Sequence, residues 1–278
     1  MNHLAIMTSR PYFCTAPWTH TYASPQGERR LCCASREEAS FQKQYIDSST
    51  AGGKFAPKSL EEHWNSDYMK DIRKRMLNGE RLSQCEVCND QILNLHTYKK
   101  YFTETLFPHK VDDIIANTRE DGHYDEMPVS YDYRISNLCN FKCRMCGEQL
   151  SSSWEVEKKK LNLIDVTQEP WLEPDTRKQI GNFQKEVLEE ELQRAVDNET
   201  IEEIYWVGGE PLMWERHWTV MQQLVDSGHA KNVTVRYNTN LSRTSFNGSH
   251  LYDLLPHFKK VNICASIDGA YAVGEYIR

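Results

Sequence analysis

Val129-Ser130-Tyr131-Asp132-Tyr133-Arg134-Ile135-Ser136-Asn137-Leu138-Cys139-Asn140-Phe141-Lys142-Cys143-Arg144-Met145-Cys146 joins a strand pattern to a cysteine triplet. Over residues 129–136 the apolar and aromatic side chains alternate with polar ones, the period of a strand. That strand delivers the chain directly to Cys139, Cys143 and Cys146, spaced C-x-x-x-C-x-x-C. Three thiolates packed this tightly can hold three irons of a cubane [4Fe–4S] cluster and leave the fourth iron open, one Cys short of the complement used by simple electron carriers. A zinc knuckle is the alternative, but structural zinc takes four ligands in paired Cys units, and no fourth Cys or His stands nearby.

The rhythm set by residues 129–136 continues downstream. Residues 200–207 read as a second strand, ending at Gly208-Gly209-Glu210-Pro211; residues 233–238 and 261–267 read as a third and a fourth. Helical patterns separate them: Leu188, Leu192 and Val196, then Met213, His217, Met221 and Leu224. Strands alternating with helices predict an α/β fold with a parallel sheet of four βα units. In such sheets ligands collect at the carboxyl ends of the strands. The cysteine triplet, the Gly-Gly-Glu-Pro run and residues 266–268 all fall at such ends. Two glycines let backbone approach a ligand closely, Pro211 suits a helix start, and Glu210 also fits as a plain helix N-terminal charge. Tyr237-Asn238-Thr239-Asn240 closes the third strand and fits a simple strand-to-loop turn equally well. Cys264, apolar-flanked within a strand, reads as a small buried hydrophobe. The charge runs 155–160 and 186–191 read as solvated helix faces.

Ahead of this core, Pro11, Pro17, Pro25 and Gly27 punctuate short pieces, of which 19–23 and 29–33 can pair as a hairpin. Residues 40–58 carry Gly52-Gly53 and read as a loop. Ser59 with Glu62 forms a capping-box pattern. It opens one predicted helix through Leu60, Trp64, Tyr68, Ile72 and Met76, stopped at Asn78-Gly79. A second predicted helix covers 90–106, and the polar, acidic stretch 108–128 reads as a linker. Expected boundaries are therefore a small α+β unit at 1–107, the linker at 108–128 and the core at 129–278.

Charge and composition exclude several classes. Lys and Arg number 33 against 40 Asp and Glu, a net −7, which argues against nucleic acid or an anionic membrane as the default partner. No apolar run reaches the ~20 residues that span a bilayer, and the N-terminus lacks a secretory pattern. The chain reads as cytoplasmic, where its nine cysteines favour metal ligation over disulfides. Those cysteines fall in an early group (Cys14, Cys32, Cys33, Cys85 and Cys88), the triplet, and Cys264 alone, which predicts two metal sites.

The triplet, Gly208-Gly209-Glu210-Pro211, Asn240 in its Thr-Asn segment, and Ser266-Ile267-Asp268-Gly269 resemble, in this order, the motifs of the radical S-adenosylmethionine (SAM) enzymes. The resemblance implies a SAM-binding [4Fe–4S] cluster on Cys139, Cys143 and Cys146. It implies SAM contacts from Gly208, Gly209, Glu210, Asn240, Ser266 and Asp268, with Arg278 placed to pair with the SAM carboxylate. Phe13-Cys14-Thr15-Ala16-Pro17-Trp18, Gly27 with four residues intervening before Cys32-Cys33, Trp64-Asn65-Ser66, and Cys85-Glu86-Val87-Cys88 resemble a twitch/SPASM auxiliary domain. That likeness implies a second, auxiliary [4Fe–4S] cluster on Cys14, Cys85, Cys88 and, by the glycine spacing, Cys32 in preference to Cys33. Zinc fits four cysteines equally well on coordination grounds.

The implied function is reductive cleavage of SAM to a 5′-deoxyadenosyl radical that abstracts hydrogen from a substrate, with a peptide as the first class expected. Flavodoxin or ferredoxin would donate electrons. The competing class is a non-catalytic iron–sulfur carrier or binding protein, or a zinc-binding interaction protein. Three departures from the family stand out. The auxiliary domain precedes the core, Met145 replaces an aromatic, and four βα units stand where six are usual. A barrel of four units predicts an unpaired edge at 261–267 and self-association.

Overall fold

The computed structural model describes residues 10–36, 56–90, 97–167 and 169–278. Its strands are β1 (His20–Ala23), β2 (Arg29–Arg30), β3 (Ser130–Tyr133), β4 (Glu203–Trp206), β5 (Thr234–Thr239), the small hairpin β6 (Ser245–Phe246) and β7 (Ser249–His250), and β8 (Lys260–Ala265). Six of them form one sheet in the order β2-β1-β3-β4-β5-β8, and β1, β3, β4, β5 and β8 run parallel. The fold is mixed α/β with a mostly parallel sheet. All four core strands read from the sequence are present, in sequence order.

The expected hairpin forms, but it does not stand apart from the core sheet. β1 and β2 pair antiparallel, with Tyr22 opposite Arg30. Gly27 takes φ 80° in their turn, a left-handed conformation that glycine adopts without a Cβ penalty. But β1 also pairs parallel with β3, from His20 opposite Ser130 to Ala23 opposite Tyr133. The N-terminal region thus extends the core sheet, and the boundary drawn at 129 runs between two hydrogen-bonded strands.

The predicted linker is likewise structured. α1 (Leu60–Trp64) carries the capping box of Ser59 and Glu62; Asn65 breaks the helix, and Ser66 caps a second one, α2 (Asp67–Leu77). Two helices replace the single one expected because Ser66 captures the Met69 N–H. α3 (Val111–Asn117) lies inside residues 108–128, and its Val111 and Ile114 are buried with Trp18, Trp64 and Ile72. An apolar i, i+3 pair inside a polar run is enough to dock a short helix. The chain then folds back: Trp64 Nε1 donates to the Glu126 carbonyl at 2.7 Å, and Asn65 Nδ2 to the Tyr124 carbonyl at 3.0 Å. Of the helix expected over 90–106, residues 91–96 lie outside the described residues; a helical turn at Tyr98–Lys100 runs into a π-turn at Tyr101–Leu106. Most of the expected loop 40–58 also lies outside them.

Helices α4 (Ser152–Lys160), α5 (Pro174–Phe183), α6 (Glu189–Asp197), α7 (Glu215–Asp226), α8 (Leu251–Leu254) and α9 (Tyr271–Ile277) complete the core. One sheet face, with Tyr131, Tyr133, Ile204, Trp206, Val235 and Tyr237, shares an apolar cluster with Leu188, Leu192, Val220, Met221 and Leu224. Each such side chain contributes about 1.5–3 kcal/mol on full burial. The opposite face is polar yet also buried. Ser130, Asp132 and Glu203 are all 0% exposed. At the other end of the sheet, β8 pairs only with β5 among the described strands, and Ile263 and Ile267 are exposed. Cys264 is exposed there too, which corrects its reading as a buried hydrophobe. Of the β8 side chains, Val261 packs against the apolar cluster, whereas Ile263 and Cys264 are exposed.

Glu191 and Glu155 also correct the sequence reading. Neither is solvated. Glu155 is buried and accepts from Asn137 Nδ2 at 2.9 Å and Lys159 Nζ at 2.7 Å. Glu191 shares the helix side of Leu188, Leu192 and Ala195, and its carboxylate accepts from Arg29 Nη2 (2.5 Å), Tyr133 Oη (2.6 Å) and the Leu60 N–H (2.6 Å). Both members of the Arg29–Glu191 pair are withdrawn from water, with side chains 1% and 0% exposed. Removing one partner of such a pair leaves the other charge buried and uncompensated. Glu191→Ala is expected to cost about 3–5 kcal/mol, and the double change with Arg29→Met to recover part of that loss. Urea midpoints measure both; equal midpoints for the wild type and Glu191→Ala would remove the pair from any structural role.

Candidate metal centres

The triplet loop follows β3, and its main chain is held by side chains from the start of α4. Ser151 caps that helix through the Trp154 N–H and donates its Oγ to the Phe141 carbonyl at 2.6 Å. Ser152 Oγ accepts from the Cys139 N–H at 3.1 Å, and Ser153 Oγ donates to the Cys139 carbonyl at 2.8 Å. Trp154 Nε1 reaches the Cys143 carbonyl at 2.9 Å. Three consecutive serines thus fix the backbone from which the thiols project, and Ser151 at the helix start is a cap signal readable in the sequence.

The thiols of this loop lie close enough to influence one another: Cys143 raises the proton affinity of both Cys139 and Cys146. Burial pushes the Cys139 thiol up, the Phe141 N–H at 3.4 Å from its Sγ pulls it down, and Glu210, Cys143 and Cys146 push it further up. Burial and Cys143 likewise raise Cys146, while the Arg278 guanidinium lowers it. Such thiols stay protonated until a metal displaces the proton. An all-sulfur donor set on one loop suits a cluster.

The Gly-Gly-Glu-Pro run lies against this loop. The Gly209 N–H donates to the Ser136 carbonyl at 3.2 Å, and the Glu210 N–H to the Leu138 carbonyl at 2.7 Å. A Cβ on Gly209 would sit 2.3 Å from the Leu138 carbonyl oxygen, so only glycine permits the approach. Glu210 is 2% exposed, and its carboxylate accepts from Thr239 Oγ1 (2.6 Å), the Asn240 N–H (2.7 Å) and the Leu212 N–H (3.1 Å). It ties the end of β4 to the end of β5. Asn240 Nδ2 lies 3.2 Å from Asn140 Oδ1 and 4.0 Å from Cys139 Sγ. Ser266 donates its N–H to the Thr239 carbonyl at 2.8 Å. Asp268 and Arg278 form an ion pair with each other, and Arg278 Nη1 lies 3.5 Å from Cys143 Sγ. The Arg144 N–H donates to the Ile277 carbonyl at 2.9 Å, which docks α9 on the triplet loop.

The early cysteines meet at a second place. Cys14, Cys32, Cys85 and Cys88 line one cavity with Leu31, Met76 and Phe102. Burial raises the Cys14 thiol to about 12 and pushes Cys32 well above the ordinary thiol range. Cys33 turns elsewhere: its thiol meets the Tyr98 hydroxyl and senses Asp132, Arg134 and Arg236 on the polar sheet face. Among the described residues, no three His, Cys, Asp or Glu side chains close on one point as the ligands of a single ion would.

Residues 134–276 match the family model of a 4Fe-4S single cluster domain, and residues 14–89 match SPASM, an iron-sulfur cluster-binding domain. The first match covers half of the chain. The chain belongs to the radical SAM family and carries a SPASM-like iron–sulfur domain. No curated protein and no solved structure matches it. Its cofactors are of the [4Fe–4S] type. Among the described residues no helix is long and apolar enough to cross a membrane.

The close approach at Gly209 generates a direct test. Gly209→Ala forces backbone atoms apart, and overpacking of this kind costs about 1–3 kcal/mol. Amide exchange over residues 136–146 should accelerate in the variant while exchange in α7 stays at the wild-type rate. Unchanged exchange across 136–146 would show that the contact does not hold the loop.

Proposed function

We propose that this chain is a radical SAM enzyme that cleaves SAM reductively and abstracts hydrogen from a peptide substrate. It works in the cytoplasm and takes electrons from a flavodoxin- or ferredoxin-type donor. The single observation that carries this reading is the three-thiol loop, seated against the carboxyl ends of β4 and β5 and flanked by the Asp268–Arg278 pair. The parallel strands β3, β4, β5 and β8 are read as the partial barrel of the core, and the N-terminal region as its auxiliary domain.

Cys139, Cys143 and Cys146 would hold the first cluster and leave one iron open. Cys14, Cys32, Cys85 and Cys88 would hold the second. When bound, the first cluster and SAM supply a one-electron cleavage that yields methionine and a hydrogen-abstracting radical. The remaining work belongs to this chain's own residues. Gly208 and Gly209 offer main chain at the open side of the loop, and Glu210 fixes the two strand ends around it. Asn240 stands beside Cys139, and Ser266 and Asp268 close the β8 side.

One observation favours the alternative of a non-catalytic iron–sulfur protein. Arg278, expected to meet the SAM carboxylate, already pairs with Asp268. SAM cleavage under dithionite separates the two readings.

Iron content tests the ligand sets. Anaerobic reconstitution should give about eight irons per chain, the content of two cubanes. The triple change Cys139, Cys143 and Cys146 to Ala should halve that content and abolish SAM cleavage. Cys32→Ala should remove the other half, whereas Cys33→Ala should retain all of it. Equal iron in the Cys32 and Cys33 variants would sink the auxiliary assignment, and zinc without iron at both sites would sink the whole reading.

A further inference from the structure

The polar sheet face holds an arginine of whose five N–H donors one, the Nε–H, meets an acceptor among the described residues. Arg236 stands on β5 with Glu203 and Tyr205 beside it on β4. Its Nε donates to Glu203 Oε1 at 2.6 Å, and Glu203 Oε2 accepts from Ser130 Oγ. The guanidinium carbon lies 3.9 Å from the Tyr205 ring centre and 4.6 Å from that of Tyr101. Two rings and one carboxylate therefore fix the plane of the guanidinium. Among the described residues no group accepts a hydrogen bond from its two Nη atoms. Arg236 lines a cleft of about 370 Å³ with Tyr98, Lys100, Tyr101, Glu104 and Thr105. The Tyr101 hydroxyl is buried and also lacks a partner. A buried hydroxyl without a partner calls for a ligand or an ordered water.

A planar, immobilised guanidinium with free Nη groups matches a carboxylate in the two-pronged manner that a lysine cannot reproduce. Lys100 adds positive charge at the rim, and Glu104 adds an acceptor suited to a peptide N–H. We infer that this cleft binds a peptide substrate through a free carboxylate, gripped by Arg236. The inference rests on the enzymatic reading above and names the substrate feature which that reading leaves open. Arg236 and Asn238 share one face of β5, and Asn240, just past its end, touches the triplet loop. Asn240 lies four steps of extended chain beyond Arg236, a rise of about 13 Å. A bound carboxylate would therefore place a residue three or four positions away, in extended chain, level with that loop. The carboxylate can come from a C-terminus or from an acidic side chain.

Affinity-selection mass spectrometry on the reconstituted full-length chain tests this with three defined pools. These are N-acetyl tripeptides as free acids, the same tripeptides as C-terminal amides, and amides carrying one Glu. Acids should be retained about tenfold more than plain amides. Retention of the Glu-bearing amides at the acid level would assign the grip to a side-chain carboxylate, and retention at the amide level to a C-terminus. Both Arg236→Lys and the paired change Arg236→Gln with Glu203→Gln, which avoids stranding a buried charge, should erase the preference at wild-type iron content. No retention of any carboxylate-bearing pool, equal retention of all three pools, or a preference that survives both variants would overturn the assignment. SAM cleavage is read separately in the same preparation. Its absence alongside an intact carboxylate preference would defeat the enzymatic reading and leave the Arg236 site standing.

Discussion

A guanidinium and a carboxylate, both removed from water, meet where the N-terminal region joins the sheet. Desolvating two such groups costs several kcal/mol apiece, and only good geometry with further hydrogen bonds offsets the cost. Glu191 meets that condition with three donors from three separate parts of the chain: Arg29 on β2, Tyr133 on β3 and the first N–H of α1. Any shift of the hairpin against β3 would break at least one of these bonds. The consequence reaches the metal chemistry, because β2 leads within two residues to Cys32. The register fixed at Glu191 is what brings Cys32 to the cavity wall opposite Cys14, Cys85 and Cys88, and turns Cys33 onto the polar face.

The parts of the fold that were legible in the sequence are those set by local pattern. Alternation over 129–136, the βα rhythm after it, and the caps at Ser59 and Asn78 follow from residues close in the chain. The pairing of β1 with β3 joins residues some 110 positions apart, and no periodicity records such a pairing. Residues 108–128 misled for a related reason. Val111 and Ile114 make too small an apolar signal to outweigh their acidic neighbours, yet Trp18 and Trp64 supply the other half of the contact. Glu191 is the sharpest case. Inside a run of glutamates its sequence signature is that of a solvated face, and only the position of Arg29 decides otherwise.

The candidate centres show the same division. Spacing alone grouped Cys139, Cys143 and Cys146, and the glycine-to-cysteine interval singled out Cys32 before Cys33. The groups around them were not legible. Nothing in the sequence pairs Arg278 with Asp268, or sets Arg236 between two tyrosines from different elements. A polar sheet face that is nonetheless buried leaves no mark in hydropathy, because its charges are matched only in three dimensions. Arg134 forks onto Asp132 at 2.9 and 3.0 Å, and Arg236 meets Glu203 at 2.6 Å.

Glu210 shows how a motif can act through something other than its charged side chain. The carboxylate is closed off, held by Thr239, Asn240 and Leu212, and faces the seam between β4 and β5. What the segment presents to the triplet loop is main chain, brought close because Gly209 has no Cβ to collide with Leu138. The charge acts one step removed: it binds the Asn240 N–H and so places the Asn240 side chain beside Cys139. A neutral side chain of the same shape would keep part of that geometry, whereas any residue larger than glycine at 209 would displace it. In this chain the pair of glycines sets how close the backbone comes, and the glutamate sets what stands across from it.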